Sequence, residues 1–279
     1  MFHSAAHHTG LVVLKLGGEL VDGTDAIDRI GAMIAHAAAR QPVVVVHGGG
    51  REIDTELASA GLDKQAVDGL RITDAATLDV VVGVLAGRVN TRLVAAVTQA
   101  GASAVGLTGA DDRIGLCRLA PSYRATDGRL VDLGLVGQPI ASEAPRLLDH
   151  LRRAGYTPIV ACIGMTDDGQ LLNVNADTLA AQLAVNIQAG RLIIAGATGG
   201  VLDDAGRTIA TLDDSAIDAL VRAGGASAGM VAKLEACRMA RQGGVASVII
   251  ADGRQGADLD VLSGTMVEAT GPSSWESES

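Results

Sequence analysis

The sequence predicts an α/β fold: an open, doubly wound, mainly parallel sheet sandwiched by helices, with a smaller second lobe. Three observations predict the sheet. Its aliphatic runs are continuous rather than alternating, as expected of strands covered on both faces. Amphipathic stretches of helical length separate them. Glycines cluster just beyond several runs, where a strand hands over to a helix.

The elements follow in order. "LVVLKL" precedes the helical "DAIDRIGAMIAHAAAR", and "PVVVVH" precedes "REIDTELASAG". "DAATLDVVVGVLAGRVNTRLVAAVTQAG" reads as one long helix leading into "ASAVGLTG". "EAPRLLDHLRRAG" leads into "TPIVACIG", "ADTLAAQLAVNIQAG" into "RLIIAG", and "AKLEACRMARQGG" into "ASVIIADG". Asp-Gly turns in "RATDGRLVDL" and "MTDDGQLLNV", and the similar "LDDAGRTIA", predict hairpins over the sheet ends. A boundary near Gly190 divides a first lobe, 1–189, from a second, 190–279.

Composition narrows the function. The chain has 279 residues, 48% hydrophobic and 19% charged, with a net charge of -10. Phe2, Tyr123, Tyr156 and Trp275 are the only aromatic residues, so stacking platforms for nucleic-acid bases are missing. The acidic balance likewise argues against a nucleic-acid partner. Cys117, Cys162 and Cys237 are odd in number, widely spaced and form no CxxC pair, which fits a reduced cytoplasmic interior better than a disulfide or zinc framework. No apolar run is expected to reach membrane-spanning length, and "MFHSAAHHTG" lacks the apolar core of a signal peptide. The closing "GPSSWESES" is expected to fray.

Of 22 basic residues only Lys15, Lys64 and Lys233 are lysines. A bias toward arginine this strong makes the surviving lysines candidates for tasks arginine cannot perform; Lys64, in a polar connection, carries the weakest case. Lys15 interrupts a buried strand directly before Gly17 and Gly18, and a lysine is seldom buried without a partner. Gly48, Gly49 and Gly50, before a helix, form the best anion-binding turn. Lys233 near a helix start opposes the dipole unless an anion is present. Neither a Walker motif nor a GxGxxG fingerprint occurs. In "NVNAD", Asn173, Asn175 and Asp177 alternate and can face one side, and the default role of Asp177 is a helix cap. Arg71, in the loop "VDGLRIT", offers a fork of donors to a carboxylate. His47 reads as a packed, hydrogen-bonded histidine.

Taken together, "KLGGEL", "VVVVHGGGREID", "VDGLRITD", "LLNVNADTLAAQLA" and "GMVAKLEA" resemble, in order and spacing, the N-acetylglutamate kinases of the amino-acid kinase family. The resemblance runs from Val12 to about Met266. It implies phosphorylation of the side-chain carboxylate of N-acetyl-L-glutamate by ATP, with Mg2+ carried on the nucleotide and no protein metal site. It implies Lys15 and Lys233 as stabilisers of the phosphates and Asp177 as the group holding both. Arg71, Asn173, Gly49 and Gly50 would bind the substrate. Gly17, Gly18, Gly48, Thr198, Gly199, Gly229 and Met230 would bind phosphates and nucleotide. A homodimer is implied through the long helix. An aminoadipate-type substrate, or a non-catalytic relative, are the alternatives.

Three departures stand out. Ala197, in "AGATGGVL", occupies the place of an expected aspartate, which predicts weakened ATP binding with Thr198 as a partial substitute. Ten residues before the first strand are too few for the N-terminal helix of arginine-inhibited members. "DLDVLSGTM" departs from their arginine-binding pattern. Insensitivity to arginine is therefore expected.

Overall fold

A computed structural model describes residues 8–254 and 258–268; the first seven residues and the closing "GPSSWESES" lie outside the described residues. In the strand β1 (His8–Leu16), the run Leu11–Leu14 is apolar on both faces because it lies inside the sheet: Val12, Val13, Leu14 and Leu16 are fully buried. Helix α1 (Thr24–Ala38) follows, then β2 (Val43–His47) and α2 (Gly50–Ser59). The short hairpin β3–β4 (Ala66–Val67, Leu70–Arg71) precedes α3 (Ala75–Val82). A π-helical segment, Gly83–Val89, joins α3 directly to α4 (Asn90–Gln99), and β5 (Ala104–Thr108) follows.

Next come β6 (Cys117–Leu119), the hairpin β7–β8 (Tyr123–Arg124, Leu130–Val131) and β9 (Val136–Pro139). Helix α5 (Arg146–Arg153) begins just after Pro145, whose fixed φ suits a helix start. It leads to β10 (Thr157–Ala161), the hairpin β11–β12 (Ile163–Met165, Leu171–Val174) and α6 (Ala176–Asn186). The second half contains β13 (Ala189–Gly196), β14 (Thr211–Leu212), α7 (Asp214–Arg222), α8 (Ala228–Gln242), β15 (Ser247–Asp252) and β16 (Gly264–Val267).

Eight strands form one sheet in the order β14-β16-β15-β13-β1-β2-β10-β5. Its pairings are parallel except β15 with β16. The two halves of the chain meet at its centre, where Lys15 of β1 stands opposite Ile194 of β13 and Val46 of β2. Helices α6 and α8 pack together over β13, and α1 packs against α4. Gly31 permits that second crossing, since a Cβ there would lie 2.8 Å from the backbone of Ala96. The expected hairpins at "RATDGRLVDL" and "MTDDGQLLNV" form, and Leu202 bridges Thr208 in "LDDAGRTIA". The second of them belongs to a further sheet, β11-β12-β9-β6, which the sequence pattern did not indicate.

One expectation needs correcting. Ala75–Gln99 is 25 residues long and contains an 18-residue stretch with a mean hydropathy of 1.6, long and apolar enough by those measures to cross a membrane. Here Val81, Val84, Leu85, Val89, Leu93 and Val97 are buried in the fold's core. Each such side chain contributes about 1.5–3 kcal/mol by leaving water.

Candidate functional site

Parallel strands place their carboxyl ends on one edge of the sheet, and β1 and β2 both end there in glycine turns. The turns touch: a Cβ on Gly18 would lie 2.8 Å from the Gly50 nitrogen. Gly18 opens a 3-10 turn, Gly50 opens α2 and Gly49 precedes it, so their N–H groups lie outside the helical ladders and suit an anion. Gly17 and Gly48 differ from the reading above. Their N–H groups extend the strand ladders instead, to the carbonyls of Ala195 at 2.9 Å and Leu16 at 3.3 Å.

Beneath the turns lie Lys15 and Asp177, 4% and 5% exposed. The Lys15 ammonium is 2.8 Å from Asp177 Oδ1, and Lys233 donates to Asp177 Oδ2 at 2.9 Å. Asp177 is available for both because it is not the cap of α6. That role falls to Asn175, whose side-chain oxygen accepts from the N–H groups of Asp177 and Thr178.

Two ammonium groups share one carboxylate, leaving net positive charge in a poorly hydrated place. Burial alone pushes the Lys15 pKa down, but Asp177, with a smaller contribution from Glu19, outweighs it and holds Lys15 above the ordinary lysine value. Burial works against the charge of Asp177 too, yet the two lysines hold its pKa below the ordinary carboxylate value. Lys233 is left short: burial and the Lys15 charge hold it below the ordinary lysine value despite Asp177. A further anion would restore the balance.

The cleft over this cluster measures about 550 Å3. Gly18, Gly48, Gly49 and Gly50 line one side, Arg71, Asn173 and Asn175 another, and Gly229 and Lys233 the α8 side. Arg71 is held by Asp54, which also pairs with Lys64 at 2.7 Å. Lys64 thus supports Arg71 through a shared carboxylate. Arg71 Nη1 is buried without a partner, an orphan donor beside the cleft. Asn173 donates to the Thr73 hydroxyl at 3.0 Å.

Thr198, Gly199 and Met230 do not line this cleft. The Gly199 carbonyl accepts from Thr208, and the Met230 N–H is engaged by the Ser227 cap of α8. A larger groove of about 990 Å3 lies between α5 and the end of α6 but contains none of the lysine cluster. The smaller cleft holds the chemistry.

Sequence reasoning missed Glu19. Its carboxylate folds over Gly17 and accepts from the Ala197 N–H at 3.1 Å, while Arg254, paired with Asp252, donates to the Ala197 carbonyl at 2.6 Å. A carboxylate therefore does reach residue 197, from the 3-10 turn that follows β1. The signal available was the acidic residue directly after the glycine pair. In "DLDVLSGTM", Asp258 and Asp260 are bound by the chain's own Arg40 and Arg191.

His47 is fully buried and uncharged, its pKa pushed down by burial to about 4. An unfolded histidine titrates near about 6.5. As pH falls below that value the unfolded chain takes up a proton that the folded chain refuses. Stability present above pH ~6.5 is thus lost progressively toward pH ~4, by about 3 kcal/mol from this group. Urea unfolding between pH 7.5 and 4.5 should show a steeper loss in wild type than in His47→Asn; equal slopes would contradict the assignment.

An open parallel sheet with net positive charge buried under paired glycine turns defines a class of protein built to hold phosphate-like anions at its strand ends. The model of the Amino acid kinase family matches residues 10–252, and the chain belongs to that family. It is 38% identical over 250 residues to an acetylglutamate kinase of Zymomonas mobilis, covering 88% of this chain and 82% of that one. An acetylglutamate kinase of Methanopyrus kandleri is 39% identical over 241 residues, 85% and 93% of the respective chains. The crystal structure of smu.665 from Streptococcus mutans superposes with a TM-score of 0.78 at 26% identity, covering 93% of this chain and 99% of that one.

Proposed function

We propose that this protein is an acetylglutamate kinase, transferring a phosphoryl group from MgATP to the side-chain carboxylate of N-acetyl-L-glutamate in amino-acid biosynthesis. The observation that carries the reading is the Lys15–Asp177–Lys233 cluster under the glycine turns, with Lys15 and Asp177 buried and Lys233 partly exposed to the cleft. The similarity to acetylglutamate kinases over most of the chain supports the substrate.

The acceptor carboxylate is ionised at neutral pH, so no general base is required. One carboxylate oxygen bonds to the γ-phosphorus as the bond from that phosphorus to the ADP oxygen breaks, giving an acyl phosphate and ADP. The obstacle is repulsion between two anions, and the remedy is position and charge. In this reading Lys15 stabilises the transferring group, Lys233 the nucleotide phosphates, and Asp177 aligns both ammonium groups. The N–H groups of Gly18, Gly49 and Gly50 receive phosphate and substrate oxygens. Magnesium enters with the nucleotide. The first lobe, to about residue 189, holds the amino acid, and the second, from 190, the nucleotide. The protein acts in the cytoplasm as a homodimer, a reading supported by the edge position of β5 and the partly exposed Val80, Val82 and Val94 on the long helix. Light scattering tests the dimer, and a monomer would contradict it.

Activity is tested by an ATP-dependent hydroxamate assay across N-acyl glutamates and N-acyl aminoadipates. Turnover greatest with N-acetyl-L-glutamate is expected; none with any acceptor would remove the kinase reading. Arg71→Ala should raise KM for N-acetylglutamate about tenfold to a hundredfold, the loss of a charged hydrogen bond worth roughly 1.5–3 kcal/mol, and change KM for ATP far less. Equal effects on both substrates would contradict its role.

Ala197→Asp places a second carboxylate beside Glu19. Calorimetric titration with a non-hydrolysable ATP analogue and magnesium should show binding no tighter than in wild type. Adding Glu19→Gln to that variant removes the like-charge contact and should tighten it several-fold. A single variant that binds more tightly than the double one would show that the two carboxylates do not interact.

A further inference from the structure

We propose that Asn90 and His47 are positioning residues that aim the Gly49 N–H into the cleft, a proposal that rests on reading the cleft as a phosphoryl-transfer site. His47 ends β2 between Leu16 and Ala161 of the neighbouring strands. Its Nε2 lies 3.0 Å from Asn90 Nδ2, and its Nδ1 lies 3.1 Å from the Gly48 carbonyl oxygen. Asn90 Nδ2 also donates to the Ile159 carbonyl at 2.9 Å, with the Leu107 carbonyl at 3.4 Å. Carbonyls only accept, so this atom is the amide NH2. His47 Nε2 therefore accepts, Nδ1 carries the ring proton, and that proton is donated to Gly48 O.

The consequence passes through the peptide plane. A trans peptide holds its C=O and the following N–H on opposite sides. With the Gly48 carbonyl drawn to the imidazole, the Gly49 N–H points away from it, and Gly49 lines the cleft. Glycine has no side chain to restrict this peptide, so an external hold on its orientation has an effect that it would lack in a stiffer residue.

The long helix delivers Asn90 by an irregularity. The wider π-helical turn through Gly83–Val89 brings Val89 and Asn90 inward together, while Arg88 and Thr91 stay exposed. The same turn presses on the glycine directly: a Cβ on Gly49 would meet Leu85 at 2.8 Å and Val89 at 3.2 Å. On the far side Gly106 of β5 makes room, since a Cβ there would collide with Asn90 Oδ1. A merely satisfied core pair would affect stability and leave the kinetics alone.

Three variants separate the two roles. His47→Leu and Asn90→Leu break the chain of hydrogen bonds, whereas His47→Asn places an amide donor where the imidazole Nδ1 stood. In the hydroxamate assay both leucine variants should lower kcat by roughly tenfold to a hundredfold, with smaller changes in KM, and His47→Asn should recover most of that loss. Unfolding by urea, measured alongside, reports stability separately. Folded leucine variants with kcat within about twofold of wild type would overturn the proposal. So would 15N spectra of the wild-type ring showing the proton on Nε2, a result that needs no variant to fold. If wild type phosphorylates no acceptor, the functional reading fails by itself. The Gly49 amide resonance then decides the positioning: displaced in both leucine variants and restored in His47→Asn supports it, and unmoved in all three overturns it.

Discussion

Lys15→Arg is expected to lower kcat roughly a hundredfold to a thousandfold, the range for removing one well-placed stabiliser of transition-state charge. The change keeps the charge, so it isolates shape. Lys15 is 4% exposed, lies between Ile194 and Val46 in the central strands, and ends against a carboxylate 2.8 Å away. A guanidinium is broader, planar and less compact than an ammonium group. Among Gly17, Gly18 and Asp177 it can keep the ion pair only by withdrawing its charge from the cleft. Steady-state kinetics with circular dichroism and a melting curve is the check. Turnover within a few-fold of wild type in a folded Lys15→Arg protein would remove Lys15 from the mechanism.

Asp177→Asn should produce the largest loss of stability, about 3–5 kcal/mol, because it leaves the buried Lys15 and the partly buried Lys233 without the carboxylate they share. The neutral amide preserves volume and the Asn175 cap of α6, so the effect reports charge rather than packing or helix formation. The loss should be partly reversed by an anion: MgATP is expected to raise the unfolding temperature of the variant by more than it raises that of wild type. Turnover should fall as well, since both lysines lose their alignment. Urea unfolding at neutral pH decides the point. A variant within about 1 kcal/mol of wild type would mean that Lys233 is neutral before any ligand binds.

The sheet was legible because its signal is local. A buried parallel strand must be apolar on both faces, so "LVVLKL", "PVVVVH" and "RLIIAG" announce themselves without reference to one another. The hairpins were legible because Asp-Gly turns restrict the backbone at one place. The sheet β11-β12-β9-β6 was not, since it joins short strands from distant positions and no single strand reveals its partner. The long helix was legible as a helix, but its surroundings were not. Its hydropathy is a property of composition, while its burial depends on α1 and β5 folding against it.

Within the site the same division holds. Lys15, Asp177, Lys233 and Arg71 could be named beforehand because charged residues beside buried strands and glycine turns contradict their surroundings. Which glycines present their N–H groups could not be named, because Gly17 and Gly48 spend theirs on Ala195 and Leu16 across the strand ladder. Nor could Asn175 be preferred over Asp177 as the cap of α6, Asp54 be matched with Arg71, or Glu19 be placed on the Ala197 peptide. By itself the sequence determined the α/β class, the succession along the chain of the main-sheet strands before the C-terminal segment and the identity of the charged residues near their ends, all consequences of where apolar and polar side chains can tolerate burial. Only the tertiary structure decided which donor meets which acceptor. Hydrogen bonds and ion pairs act over a few ångströms, and residues 162 positions apart, as Lys15 and Asp177 are, come within that range only after the chain has folded.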